Sequence, residues 1–187
     1  MLHLPNLEEI EALLLKVPAL VDRLEEHDPD FVTALKSWLA SAEDTLSNNR
    51  MPAASEIAVC RGSLIAVERG DTDDSVVRGR MGARKYREAR ASHLLRRATD
   101  VINGSISSRR AQVDEAGRVM MQVVAAADRL GLIPVDSGSS HTAYLQGVLQ
   151  AISNRAEFTS LVVHVTGILG ETDCLIVLDR SITSVRQ

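Results

Sequence analysis

The spacing of the apolar residues, which recur every three or four positions along most of the chain, most limits what it can fold into. Phe31, Leu35, Trp38, Leu39, Ala42 and Leu46 share one face of a helix. Asp28, Pro29 and Asp30 precede them as a cap, a first helical residue and an acid that complements the helix dipole. Leu7, Ile10, Leu13, Val17, Leu20 and Leu24 recur in the same way, opened by Asn6 and Glu9 at capping-box spacing. Pro18 interrupts that pattern and predicts a kinked or split helix. A third helix is predicted over residues 53–69, burying Ile57, Cys60, Leu64 and Val67 and stopping at Gly70. Three helices joined by short turns imply antiparallel neighbours in a bundle.

A fourth helix is predicted over residues 83–102, ending at Asn103-Gly104, with Ala91, Leu94, Leu95, Ala98, Val101 and Ile102 on one arc. Its first two turns carry Arg84 and Arg87 on or beside that arc and lack an apolar stripe. A fifth, near 108–130, lines one face with Val113, Ala116, Gly117, Met120, Val124 and Ala127 and stops at Gly131. Gly117 there suggests close approach of a neighbouring helix. After Pro134 the pattern changes. A short helix over 141–153 is followed by two β-branched runs, 160–169 and 174–181, with Gly170 to Asp173 as turn residues. These runs are expected to form a β-hairpin; the rival is another short helix, because an apolar run alone does not settle the period. The expected fold is therefore mainly α, an antiparallel helical bundle with a small C-terminal α + β-hairpin portion. The expected division is residues 1–132 for the bundle and 133–187 for the smaller portion docked on it. Aromatic content of 3% agrees with a core of Leu, Val, Ile and Ala in closely packed helices.

Two cysteines, Cys60 and Cys174, make neither a disulfide framework nor a metal-ligand spacing and read as buried small hydrophobes. The acidic residues after Met1 do not suit a secretion signal. The longest uncharged stretch, 158–170, falls short of the roughly 18–20 residues needed to span a bilayer. A cytoplasmic protein without membrane partners is expected, with no cofactor and no metal.

The net charge of −4 conceals an asymmetry. Residues 1–60 carry four Lys/Arg against eleven Asp/Glu, a net of −7, whereas residues 78–118 carry eleven against four, a net of +7. Arg78, Arg80, Arg84, Lys85, Arg87 and Arg90 crowd into thirteen residues and are the candidate partner- or nucleic-acid-binding set. Arg forks bind phosphate bidentately and can neutralise a nucleic-acid backbone. The competing expectation is that they pair with the protein's own acidic helices or form a solvated face. Eighteen Arg against three Lys makes arginine common throughout the chain and weakens each as a signal.

Two local patterns suggest chemistry. Arg87 and His93, five residues apart, resemble the Arg-x4–6-His element of helical ribonucleases of the HEPN type. The resemblance implies metal-independent RNA cleavage, with His as general acid or base and Arg stabilising charge. A helical wheel, however, puts the two residues about 120° apart, and an exposed histidine is the plainer expectation. Ser137, Gly138, Ser139, Ser140 and His141 precede a helix and could hold an anion; Ser139 or Ser140 as an ordinary N-cap explains the same residues. The leading expectation is a non-enzymatic interaction or regulatory protein acting through helix faces and complementary acidic and basic surfaces. Its partner would be a protein or further copies of itself, as a homo-oligomer. A nucleic-acid-binding protein using residues 78–118 is the alternative, and a ribonuclease or phosphate-handling enzyme stands third.

Overall fold

In the computed structural model, which describes residues 2–70, 82–134 and 140–186, the long apolar stripes are helices. α1 (Leu4–Leu14) and α2 (Val17–Glu25) divide near Pro18, which occupies the first turn of α2, where a missing N–H is harmless. α1 begins ahead of Asn6, so Asn6 lies inside the helix and not at its cap. α3 (Phe31–Asn48) buries all six residues of its expected face. Ahead of it, the Asp28 carboxylate accepts the Asp30 N–H at 2.9 Å and the Asp28 carbonyl accepts the Phe31 N–H at 3.1 Å. α4 (Ala53–Arg69) buries Ile57, Cys60, Leu64 and Val67 and ends at Gly70, whose φ of +81° releases the chain. Lys36 reaches Glu68 at 2.8 Å and Arg61 reaches Glu43 at 2.7 Å, so α3 and α4 run antiparallel. Trp38 donates its Nε1–H to the Leu13 carbonyl at 2.9 Å and ties α3 to the end of α1.

The two helices expected over 83–102 and 108–130 are one, α5 (Ala83–Arg129), of 47 residues. Asn103-Gly104 does not stop it because the apolar stripe runs on: Ile102 and Ile106 are both fully buried on either side. Burying each contributes about 1.5–3 kcal/mol, against a glycine penalty of about 1 kcal/mol. α5 ends where Gly131 adopts φ +66° and the Leu132 N–H bonds the Ala127 carbonyl at 3.0 Å. A Cβ at Gly117 would meet no atom within 4 Å, so the close helix approach expected there is not what glycine serves.

The C-terminal β-hairpin is not formed. Residues 160–169 and 174–181 lie in helices α7 (Ala156–Leu169) and α8 (Glu171–Val185), preceded by α6 (His141–Ser153), and no strand occurs among the described residues. The apolar run fits a helical period: Phe158, Val162, Val165 and Leu169 are buried, four, three and four residues apart. Leu161 and Val163, which a strand would place beside Val165, are exposed. Burial of one face outweighs the few tenths of a kcal/mol that β-branched residues cost a helix. The expected turn residues instead make a corner of 119° between α7 and α8. Gly170 turns it at φ +81°, ψ 163°, a conformation open essentially to glycine alone. Gly170→Ala is expected to cost about 1–3 kcal/mol through backbone strain, since the added Cβ meets no atom within 4 Å. An unshifted urea midpoint would remove that account.

Contacts divide the chain into two units, Leu4–Ser107 and Ser108–Gln187, the latter with His3. In the first, α3 packs against α1, α2 and α4; in the second, α6, α7 and α8 pack on one another. Residues 83–107 of α5 belong to the first and 108–129 to the second. Cys60 and Cys174 are free and buried, one in each unit, and burial pushes both thiols up from their ordinary pKa. No single helix among the described residues is long and apolar enough to cross a membrane.

Candidate binding surface on α5

Within the first unit, α5 buries Ala91, Leu94, Leu95, Ala98, Ile102 and Ile106 along one arc; Tyr86 is also buried, at a wheel position off that arc, between His93 and Arg97. At about 100° per residue, Arg84 and Arg87 extend that arc N-terminally. There they line a cleft of about 370 Å³ together with Asp28, Thr33, Glu68 and Glu88. Arg84 pairs with Glu88 at 2.8 Å, one helical turn on. It also donates from Nη2 to the His27 carbonyl at 2.9 Å, just beyond the end of α2, where positive charge complements the helix dipole. His27 in turn brings Nδ1 within 3.4 Å of Glu88. The Arg84 hydrogen bond and charge, with a smaller contribution from His27, hold Glu88 below the ordinary carboxylate range. Arg84 therefore meets the protein's own Glu88, and Arg87 lines the same cleft.

The opposite face differs. Lys85, Arg96 and Arg97 are exposed and Arg90 is half-buried. None of the four has an ion-pair partner among the described residues. The Arg90 Nε, although buried, has no acceptor among them. By helix geometry these four side chains and His93 fall within about 140° of arc and over about 18 Å of helix. Arg97 lies close enough to Cys60 to offset part of the effect of burial on that thiol. Thus, of the expected set, Arg84 and Arg87 face the cleft and Lys85 and Arg90 the outward side. Arg78 and Arg80 lie outside the described residues. Arg96 and Arg97, outside the expected set, complete the outward face. On the wheel Arg96 stands about 160° from both Leu94 and Ala98, which is the signal that identifies it, whereas Arg97 lies only about 60° from Leu94 at the edge of the buried arc.

Arg87 and His93 are both exposed, but Arg87 lines the cleft and His93 does not. Of the second expected pattern, Ser137, Gly138 and Ser139 lie outside the described residues. Ser140 is the N-cap of α6, accepting the Ala143 N–H at 3.4 Å. His141 sets Nε2 3.1 Å from Asp179 and stacks on Tyr144, whose hydroxyl donates to the Pro134 carbonyl at 3.0 Å. Among the described residues, no group of three or more His, Cys, Asp or Glu side chains could hold a metal ion.

Sequence reasoning missed a buried ion pair. Arg109, at the start of the helix predicted near 108–130, lies inside α5 and is 8% exposed. Its Nη2 meets the Asp173 carboxylate at 3.0 Å and its Nη1 donates to the Ile168 carbonyl at 2.9 Å. Asp173, expected as a turn residue, is 1% exposed, and its other oxygen lies 3.6 Å from His3. An arginine on the same wheel arc as Ile102 and Ile106 was the legible sign of it. Elsewhere in this unit Leu149, Val162, Val163 and Leu175 line a cleft of about 570 Å³. Neither a family model, nor a curated protein, nor a solved structure matches the chain.

Proposed function

We propose that the chain is a non-enzymatic interaction protein that engages an anionic partner through the outward face of α5. The observation that carries this reading is the sorting of the basic segment. Arg84 pairs with Glu88 and shares a cleft with Arg87, Asp28 and Glu68, while Lys85, Arg90, Arg96 and Arg97 lie within one arc without ion-pair partners among the described residues. Burying or exposing four uncompensated cations on one helix face costs self-repulsion, which an anionic partner relieves. The acidic surface of a further copy is one candidate partner: Glu9, Asp22, Glu25 and Glu26 are exposed on and beside α1 and α2. Such pairing would make the protein an oligomer through complementary charge.

The test uses the whole chain with Lys85, Arg96 and Arg97 all changed to Glu. The parent is expected to be retained on a polyanionic matrix, heparin or immobilised polyglutamate, at low salt, despite a net charge of −4. The variant should lose about tenfold or more of that retention, with its helical circular dichroism unchanged. Retention that is equal in parent and variant, or absent in both along with any self-association, would refute the reading.

A further inference from the structure

We propose that α2 is a strap that lifts from α3 and α5 as a local unit, about turns at its two ends, while the rest of the unit formed by Leu4–Ser107 stays folded. At nine residues α2 is shorter than the roughly 12–15 at which even a good helix former is marginal in water, so packing has to hold it. That packing is thin. Leu20 alone of the nine is buried, against four residues in α1, six in α3 and five in α4. Clefts flank the helix on both sides. One, of about 330 Å³, lies between Arg23 and Trp38 of α3; the other, of about 280 Å³, lies between Val21 and Leu95 of α5. A segment with so few buried apolar side chains opens at lower cost than the helices around it.

Both ends of α2 suit a hinge. Pro18 offers no N–H to the Leu14 carbonyl, so the hydrogen-bond ladder is cut between α1 and α2. Leu15, in the turn there, is 80% exposed, and its burial anchors nothing. At the other end His27 adopts φ +55°, a conformation uncommon for a residue with a side chain, and opening relieves that strain. A polar clasp on α5 closes the strap. Arg84 donates to the His27 carbonyl at 2.9 Å and pairs with Glu88 at 2.8 Å, and Glu88 lies 3.4 Å from the His27 imidazole. The Arg84 and His27 side chains are 65% and 71% exposed, so the clasp parts into water at little cost. Lifting α2 uncovers the apolar surface beneath it, at Trp38 on α3 and Leu95 on α5, which the closed strap leaves 5% and 4% exposed.

The experiment is hydrogen exchange of the whole chain read by mass spectrometry, with acrylamide quenching of Trp38 alongside. Amides of residues 19–25 are expected to exchange about tenfold faster or more than those of residues 35–46 in α3. Leu20→Ala should speed exchange within α2 by about tenfold or more and leave α3 and α4 unchanged. Arg84→Ala, which opens the clasp at an exposed side chain, should speed the same residues by a smaller factor. Quenching of Trp38 should rise in both variants. Should Leu20→Ala not fold, Arg84→Ala carries the comparison. Residues 19–25 that exchange as slowly as α3, a variant that speeds α1, α3 and α4 by the same factor as α2, or Trp38 quenching that neither variant raises, overturns the inference; α2 then opens only with the whole unit.

Discussion

Asp173→Ala is expected to destabilise the unit formed by residues 108–187 by roughly 3–5 kcal/mol, as breaking one partner of a buried ion pair does. The change leaves the Arg109 guanidinium 8% exposed and 3.0 Å from where its counter-charge stood. Arg109 also holds the Ile168 carbonyl near the end of α7, while Asp173 lies in the first turn of α8. One side-chain pair thus fastens both sides of the Gly170 corner to α5. An exposed pair gives a different expectation: at Lys36–Glu68, with side chains 40% and 28% exposed, removing one partner should cost about 1 kcal/mol or less. Changing both buried partners, Arg109→Met with Asp173→Leu, should recover most of the loss, because the desolvation cost leaves with the charges. Urea denaturation followed by circular dichroism measures all three. A single Asp173→Ala change that shifts stability by under about 1 kcal/mol would show that the pair does not hold the corner.

Trp38→Ala carries the second large effect, about 3–5 kcal/mol in the unit formed by Leu4–Ser107. The indole is 5% exposed and joins α3 to α1 twice over, by packing and by its Nε1–H bond to the Leu13 carbonyl. Trp38→Phe separates these contributions. It keeps much of the ring and removes the donor, so it should cost about 1–2 kcal/mol. Equal losses for the two variants would assign the whole effect to the hydrogen bond and contradict the packing argument. Trp38 is the chain's one tryptophan, so the fluorescence of Asp173→Ala follows the unit that the change does not touch.

The first four helices were legible because most local signals agreed with one another, the caps excepted: Asn6 lies inside α1, and Asp30 rather than Asp28 stands at the cap of α3. Pro18, Asp28-Pro29 and Gly70 stand where helices start, split or stop, and the apolar faces between them are the buried faces. Two regions were misread for one physical reason: a local signal was outweighed by burial of a stripe. At Asn103-Gly104 the glycine predicts an end, but Ile106 continues the buried line begun by Ile102. At 160–169 the β-branched residues predict a strand, but Phe158, Val162, Val165 and Leu169 supply a helical face. The candidate surface was half legible. Counting charges located the basic segment. Which arginines line a cleft depends on Asp28 and Glu68, brought beside α5 from elsewhere in the chain, and no local pattern carries that information.

The placement of the two cysteines gives the molecule a pair of internal clocks. Cys60 and Cys174 are both fully inaccessible, and each belongs to a different unit. A thiol reagent can reach either sulfur only when the surrounding helices open, so the rate of alkylation at each position times the opening of its own unit. Two rates from one sample, resolved by mass after digestion, then tell whether the halves of this chain breathe together or separately. No label, probe or substitution has to be added.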